Sequence, residues 1–167
     1  ESVYVADFFS LREFSGRSGR QKEIDYHTIG ATPVTSPGTV AADGDHLVLS
    51  SWFANTVQVW DPDEKRVLEN YPDFSIPLNA MRFNDDLIVA ELGTGSVVRA
   101  TADDPSVRET LIAGLGVPAG LAATEESLFG SDWFSGMIWQ VIKSGNLLTD
   151  PIPVAGPFVQ PEGLAMD

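Results

Sequence analysis

Apolar and polar residues alternate along most of the chain, in short runs separated by clusters of turn-forming residues. Residues 47–49, 56–60 and 137–141 are such runs, and they are rich in β-branched and aromatic side chains, which favour strands. Turn-forming residues such as those at 43–45 lie between the runs. No segment of ten or more residues has a helical period. The pattern therefore predicts an all-β chain.

A four-fold internal repeat organises these runs. Each copy of the repeat opens at a proline, and the four prolines are Pro37, Pro77, Pro118 and Pro161. Successive prolines are 40, 41 and 43 residues apart. In the first three copies an apolar phrase begins ten residues after the proline, at Leu47, Leu87 and Leu128. A period of this length, with several short strands in each copy, is the signature of a β-propeller blade.

Each repeat unit is predicted to be a blade of four antiparallel strands, which we name a to d in chain order. The units cover approximately residues 1–36 plus 161–167, 37–76, 77–117 and 118–160, within a single β-propeller domain or propeller segment 1–167. The predicted strands are 3–7, 11–15 and 22–29 in the first unit; 38–43, 46–51, 56–61 and 66–70 in the second; 79–84, 86–91, 96–101 and 108–113 in the third; and 119–124, 127–132, 136–142 and 147–153 in the fourth. The first unit lacks strand a, which the pattern places at 161–167, so this blade is split between the N- and C-termini.

A propeller must close, because an open stack of blades leaves an apolar sheet face and unpaired strand edges. Three arrangements meet this requirement. The chain closes alone with four blades, two chains close head-to-tail into eight blades, or the chain is part of a longer six- or seven-bladed protein. The predicted partners therefore include a second copy in a homodimer, or missing blades from a longer chain.

Charge and composition narrow the classes of partner. The net charge is −14, from 24 acidic and 10 basic residues, and such a field repels phosphate backbones, which argues against nucleic acid. No run reaches the roughly 18 apolar residues that a membrane span needs, so we expect none. The chain has no cysteine, which leaves localisation open, with a periplasmic or secreted location slightly favoured over a cytoplasmic one.

The repeat phrases resemble those of a known propeller superfamily. The phrases at 118–122 (PAGLA), 161–165 (PEGLA) and 3–7 (VYVAD) are similar to repeats of NHL proteins, of the gluconolactonase and senescence-marker-protein family, of strictosidine synthase-like proteins and of YVTN-type repeats. The resemblance covers essentially the whole chain. It implies a propeller, more often of six blades than of four, and it is weak for activity because these families share the phrase and differ in function.

The gluconolactonase-like families hold calcium or another divalent cation at the channel mouth, with ligands in the loop that carries the proline phrase. The resemblance therefore implies a possible Ca²⁺ or other divalent ion as cofactor, with Glu162 and the displaced Asn79 as its ligands. The positions equivalent to Glu162 are Leu78 and Ala119, which cannot bind a metal through their side chains. This departure argues against metal-dependent hydrolysis.

The ends of the b strands carry the other candidate residues. In a blade, the turns between strands b and c and the loops between strand d and the next strand a lie at the same end of the sheet. This geometry gathers Asp7, Glu91, Asp132 and Glu162, with Trp52 and Trp133 and also Phe8 beside them. Carboxylates there could bind a hard cation or act as acid and base, and aromatic rings could stack on a ligand. Alternatively, the recurring acids accept backbone hydrogen bonds in the turns and the rings fill the space between blades.

From these residues we predict a propeller that binds a small molecule or a protein and has no catalytic role. Its ligand-binding face comprises Asp7, Trp52, Glu91, Asp132, Trp133 and Glu162. A divalent-metal-dependent hydrolase resembling the lactonases is the first alternative. An assembly module that closes a ring by oligomerisation is the second. The catalytic residues of the hydrolase alternative are unknown.

Overall fold

The computed structural model of this chain describes residues 2–7, 10–26, 36–144 and 147–166, without the side chains of 24–26. Within these ranges every regular element is a strand, and no helix there is long and apolar enough to cross a membrane. The chain forms two compact units, Glu1–Pro77 and Leu78–Asp167. The all-β prediction is confirmed.

The N-terminal unit contains two antiparallel sheets. The first sheet has the order β1-β2-β3 and the second has the order β4-β5-β6-β7. Their strands are β1 (Ser2–Asp7), β2 (Ser10–Ser15), β3 (Gln21–Tyr26), β4 (Thr39–Asp43), β5 (His46–Ser51), β6 (Thr56–Asp61) and β7 (Arg66–Tyr71). The apolar side chains that alternate along β2, β5 and β6 meet in one core, formed by Leu11, Leu47, Leu49 and Trp60.

The C-terminal unit contains the third and fourth sheets. The third has the order β11-β10-β9-β8. The fourth has the order β12-β13-β14-β15, and β16 also pairs with β14. Their strands are β8 (Pro77–Phe83), β9 (Asp86–Glu91), β10 (Ser96–Ala100), β11 (Arg108–Ile112), β12 (Pro118–Ala123), β13 (Ser127–Asp132), β14 (Ile138–Ser144), β15 (Leu147–Leu148) and β16 (Ile152–Ala155). Residues of both sheets share a core that includes Ile88, Val97, Ile112, Leu128 and Val141.

The predicted order b-c-d in the first sheet and a-b-c-d in the second and third sheets is confirmed, and most boundaries agree to within two residues. The prediction of one d strand at 147–153 is wrong. β14 instead pairs with two short strands, β15 and β16. Pro151 lies between them, and a proline has no backbone N–H to donate to the neighbouring strand. The ladder is therefore interrupted at this point.

The C-terminal proline phrase is the second difference from the predicted pattern. Residues 161–166 have no strand conformation, and the first sheet has three strands. The phrase lies against the fourth sheet, where the hydroxyl of Ser131 donates to the carbonyl of Pro161 at 3.2 Å. A Cβ on Gly120 would come within 2.7 Å of the Glu162 carbonyl oxygen, so glycine permits this approach. The blade shared between the two termini stays a prediction.

Candidate functional site

The b–c turns are the loops that the sequence predicted to carry the site. They are residues 52–55 in the second sheet, 92–95 in the third and 133–137 in the fourth. In each case, one backbone N–H of the d–a loop that follows the sheet donates a hydrogen bond to a backbone carbonyl of the turn. The donors and acceptors are Phe74 N–H to Asn55 (3.1 Å), Leu115 N–H to Gly95 (2.8 Å) and Phe158 N–H to Gly136 (2.8 Å). The same link thus recurs in three repeats.

The accepting residue of each link has a left-handed backbone, with φ of 53° at Asn55, 62° at Gly95 and 75° at Gly136. Asparagine and glycine tolerate this conformation better than other residues do. The donor always lies three residues before the proline that opens the next repeat. Phe74 and Leu115 are also buried, so these two donors fix the d–a loop to the core as well as to the turn.

In the C-terminal unit one d–a loop, residues 113–117, is held from both sides. Leu115 donates to the b–c turn of the third sheet, as described above. Val117 belongs to the same loop, and its N–H donates to the carboxylate of Asp132 at 2.8 Å. The Trp133 N–H in turn donates to the Val117 carbonyl at 2.9 Å. Two b–c turns and the loop between them therefore form one hydrogen-bonded surface, which is preorganised for binding.

Asp132 holds the turn of the fourth sheet together. The residue is 3% exposed. In addition to the amide of Val117, its carboxylate accepts the backbone N–H groups of Phe134 at 3.2 Å and Ser135 at 3.3 Å. Burial raises the pKa of Asp132, but hydrogen bonds from Ser135 and from the surrounding backbone amides outweigh burial and hold that pKa below its ordinary value.

The lowered pKa of Asp132 predicts a specific pH dependence of stability. Because the folded-state pKa lies below the unfolded one, the carboxylate stabilises the fold at pH values above about 4, and this contribution is lost as the pH falls through the folded pKa. The free-energy gap between the wild type and Asp132→Asn should be constant near neutral pH and narrow below about pH 4. Urea unfolding across this pH range measures the gap. A gap that widens in acid would contradict the assignment.

Two other predicted acids are also engaged within the protein. Glu91 ends β9, is 7% exposed, and accepts the Thr94 hydroxyl at 2.8 Å within the b–c turn of the third sheet. Asp7 ends β1 and forms an ion pair with the Arg12 guanidinium at 2.7 Å, where both side chains are more than a third exposed. Burial leaves Glu91 and Asp132 little surface for a ligand, while Asp7 stays accessible. Their role in binding stays a prediction.

Trp52 lies in the b–c turn of the second sheet, half-buried against the preceding d–a loop. A Cβ on Gly38 would come within 2.9 Å of the indole Nε1 atom, so the ring needs glycine beneath it. The neighbouring Phe53 is 71% exposed, and its ring centre lies 5.1 Å from that of Trp52. Trp52 and Phe53 form what we call the first aromatic patch. Phe8 lies outside the residues that the structure describes.

The equivalent turn of the fourth sheet carries Trp133 and Phe134. Trp133 is half-buried, whereas Phe134 is 77% exposed. A Cβ on Gly116 would come within 2.6 Å of the Phe134 Cβ atom, so this side chain also rests on a d–a loop glycine. The loop bonded to Gly136 adds two exposed apolar residues, Phe158 and Val159. We call Trp133, Phe134, Phe158 and Val159 the second aromatic patch.

Phe53 and Phe134 were not among the predicted site residues, although each directly follows a predicted tryptophan in the same turn. The structure shows that the phenylalanines are the more exposed rings of each pair. The signal that could have identified them is the glycine in the preceding d–a loop. A glycine in the d–a loop leaves room for the b–c turn to pack closely against it. The phenylalanine of the aromatic pair is then largely exposed to solvent.

The two predicted metal ligands lie in the C-terminal unit. Glu162 is exposed. Asn79 lies in β8, where its side-chain oxygen accepts the Ala80 N–H at 2.9 Å. Among the described residues there is no group of three or more His, Asp or Glu side chains that could hold a metal ion. The metal site and its possible divalent ion stay a prediction that no contact described here supports.

Comparison with known proteins supports the fold. No protein-family model matches the chain, and no curated protein matches it in sequence. The solved structure of U3-55K matches with a TM-score of 0.70 at 16% identity, covering 89% of this chain and 47% of that one. A chain of the nidogen/laminin complex matches with a TM-score of 0.69 at 14% identity, covering 98% and 63%. The WD40 repeats of RRP9 match with a TM-score of 0.66 at 15% identity, covering 83% and 44%.

This chain therefore spans less than two thirds of the length of each of these structures. At such low identities the similarity establishes the fold alone. These neighbours are β-propellers of the WD40 or a related type. The repeat period, the antiparallel sheets of three to five strands and these matches together show that the chain has a β-propeller fold.

Proposed function

We propose that this chain is a protein-binding propeller segment that uses the b–c turns and d–a loops of its sheets. The observation that carries the proposal is the exposure of Phe53 and Phe134, at 71% and 77%, on turns that hydrogen bonds hold to the adjacent loops. Exposed aromatic side chains are favoured anchors in protein interfaces. Turns that are already fixed lose little conformational entropy when a partner binds.

The charge of the chain indicates what kind of protein it binds. A net charge of −14 attracts basic partners and repels acidic ones. A partner segment that combines Lys or Arg with apolar side chains would match both the charge and the aromatic patches. The neighbouring WD40 structures support a protein partner in general, and the chemistry of the two patches favours this class over a small molecule.

The proposal predicts the outcome of a peptide selection. We expect the chain to enrich basic peptides with apolar anchors from a random library. The double variant Phe53→Ser, Phe134→Ser should bind a selected peptide at least about 30-fold more weakly, because the loss of even one aromatic anchor that the peptide covers costs on the order of 2 kcal/mol. Its melting temperature should stay close to that of the wild type, since both rings are mostly exposed. Isothermal titration calorimetry measures the change.

A matched double variant provides the control. Val107 and Leu147 are exposed apolar residues, at 50% and 75%. Val107 lies in the c–d connection of the third sheet and Leu147 begins β15 of the fourth, both at the end of the sheets opposite the b–c turns. Val107→Ser with Leu147→Ser should leave peptide affinity unchanged. Equal losses in the two double variants, or enrichment of acidic peptides, would contradict the proposal. Self-assembly stays a separate prediction, which the solution mass of the chain tests by light scattering.

A further inference from the structure

The residue before the second repeat proline, Ile76, has an unusual backbone conformation. Its φ is 54°, in the left-handed region that a β-branched residue rarely adopts because the side chain crowds its own backbone. Ser36 and Gln160, which precede the first and fourth repeat prolines, are also left-handed, with φ of 39° and 50°. Of these three residues, Ile76 alone carries a β-branched apolar side chain, so the conformation is most strained at this position.

Asn55 holds Ile76 in this conformation. The Asn55 carbonyl accepts the Phe74 N–H, as described above, and its side-chain oxygen accepts the Ile76 N–H at 3.1 Å. The equivalent residues of the third and fourth sheets are Gly95 and Gly136, which have no side chain to accept a second hydrogen bond. The second repeat therefore fixes its d–a loop to the b–c turn at two points, and the second point is Ile76 itself.

The Ile76 side chain lies partly in solvent. It is 37% exposed, whereas Phe74 is 2% exposed and Pro77 is also buried. Strain and exposed apolar surface both reduce the stability of the chain on its own. Strained residues cluster at positions that contact ligands, and the turn to which Ile76 is bonded also carries Phe53, the exposed ring of the first aromatic patch. A contact with a partner would bury this surface and account for both costs.

We propose that Ile76 is a partner-contacting residue, and that Ile76 and Phe53 together receive one apolar side chain of the basic partner. This inference rests on the proposed protein-binding role, to which it adds a residue from the d–a loop. The hydrogen bond from Ile76 to Asn55 fixes the backbone before the partner arrives, and a β-branched side chain has few rotamers to lose. Ile76 therefore contributes contact area at a low cost in conformational entropy.

An NMR experiment on the wild-type chain tests the contact directly. With the selected basic, apolar-anchored peptide bound, we expect nuclear Overhauser effects between the Ile76 δ1 methyl group and an apolar side chain of the peptide. The affinity of Phe53→Ser for the same peptide is measured in parallel. If Phe53→Ser weakens binding but Ile76 shows no such effect, the assignment of Ile76 is wrong and the proposed function stands. If Phe53→Ser binds as the wild type does and Ile76 shows no effect, the first aromatic patch does not bind the peptide and both fail.

Substitutions at Ile76 separate its side chain from its backbone. Ile76→Asn should stay folded, because asparagine tolerates the left-handed backbone, and it should bind the peptide at least about fivefold more weakly, because the apolar contact is lost. Ile76→Leu, which keeps the contact, should bind within about twofold of the wild type. Gln160→Asn makes the corresponding change at another left-handed residue before a repeat proline and should leave the affinity unchanged. Equal losses in Ile76→Asn and Gln160→Asn, or in Ile76→Asn and Ile76→Leu, would overturn the proposal.

Discussion

Replacing Gly95 by alanine should lower the free energy of unfolding of the C-terminal unit by about 3 kcal/mol. Gly95 has a φ of 62°, and an added Cβ would lie 2.4 Å from the Leu115 carbonyl oxygen. The turn must therefore move away from the d–a loop, which breaks the Leu115-to-Gly95 hydrogen bond and displaces the buried Leu115 side chain. Urea unfolding, followed by tryptophan fluorescence, measures the loss.

Gly114→Ala separates this contact from the cost of a left-handed residue. Gly114 has a φ of 75° and lies one residue before Leu115, but an added Cβ there meets no atom within 4 Å. It should cost only the backbone penalty, about 1 kcal/mol. Similar losses at Gly95 and Gly114 would show that the close packing of turn against loop contributes nothing to stability.

Asp132→Ala should also destabilise the C-terminal unit by about 3 kcal/mol or more, because it leaves buried amides without an acceptor. The wild-type carboxylate accepts the N–H groups of Val117, Phe134 and Ser135. Asp132→Asn should cost less than alanine, since the amide oxygen still accepts. The free energies of unfolding of both variants, from urea titrations at neutral pH, test this order.

Asp61→Ala is the matched control, because it removes a turn acid that is exposed, whereas Asp132 is buried. Asp61 also accepts two turn amides, those of Asp63 and Glu64 at 2.9 Å, but it lies at an exposed turn where water replaces the lost acceptor. Its loss should be small beside that of Asp132. If both alanine variants lose the same stability, burial does not determine the importance of these turn acids.

The sequence identified the strands well, because the signals for them are local. Alternating apolar residues and the turn residues between them define β5, β6, β9 and β10 almost to the residue. The last strand of the fourth sheet was predicted as one strand at 147–153, whereas the structure has two short strands there, on either side of Pro151. The strand predicted at 161–167 depends on pairing that the local sequence does not determine.

The candidate site could be predicted only in part. The sequence placed Asp132 and Trp133 at a b–c turn, and it left open whether the acid binds a ligand or supports the turn. The structure shows the supporting contacts, which reach Val117, fifteen residues earlier in the chain. Leu115 and Phe158, which donate to Gly95 and Gly136, have a sequence signal, because each is an apolar residue three positions before a proline. The residue that accepts each hydrogen bond is determined only by the three-dimensional structure.

The contact between the third and fourth sheets at Lys143 could not have been predicted from the sequence at all. The ammonium group of Lys143 in the fourth sheet donates to the Asn84 side chain of the third, and the packing of two sheets determines that contact. The repeat gives no signal for it. Features that recur in every blade were accessible to sequence analysis, whereas this feature belongs to one pair of blades.

The most direct test of the account is a map of amide chemical shifts when a selected basic, apolar-anchored peptide binds the isotope-labelled chain. The central claim is that, within each compact unit, the b–c turns and the loops bonded to them form the binding surface. The account predicts that the largest shifts occur at residues 52–55, 115–117 and 133–136. Largest shifts at the opposite end of the sheets, around residues 101–107 and 147–150, would contradict it.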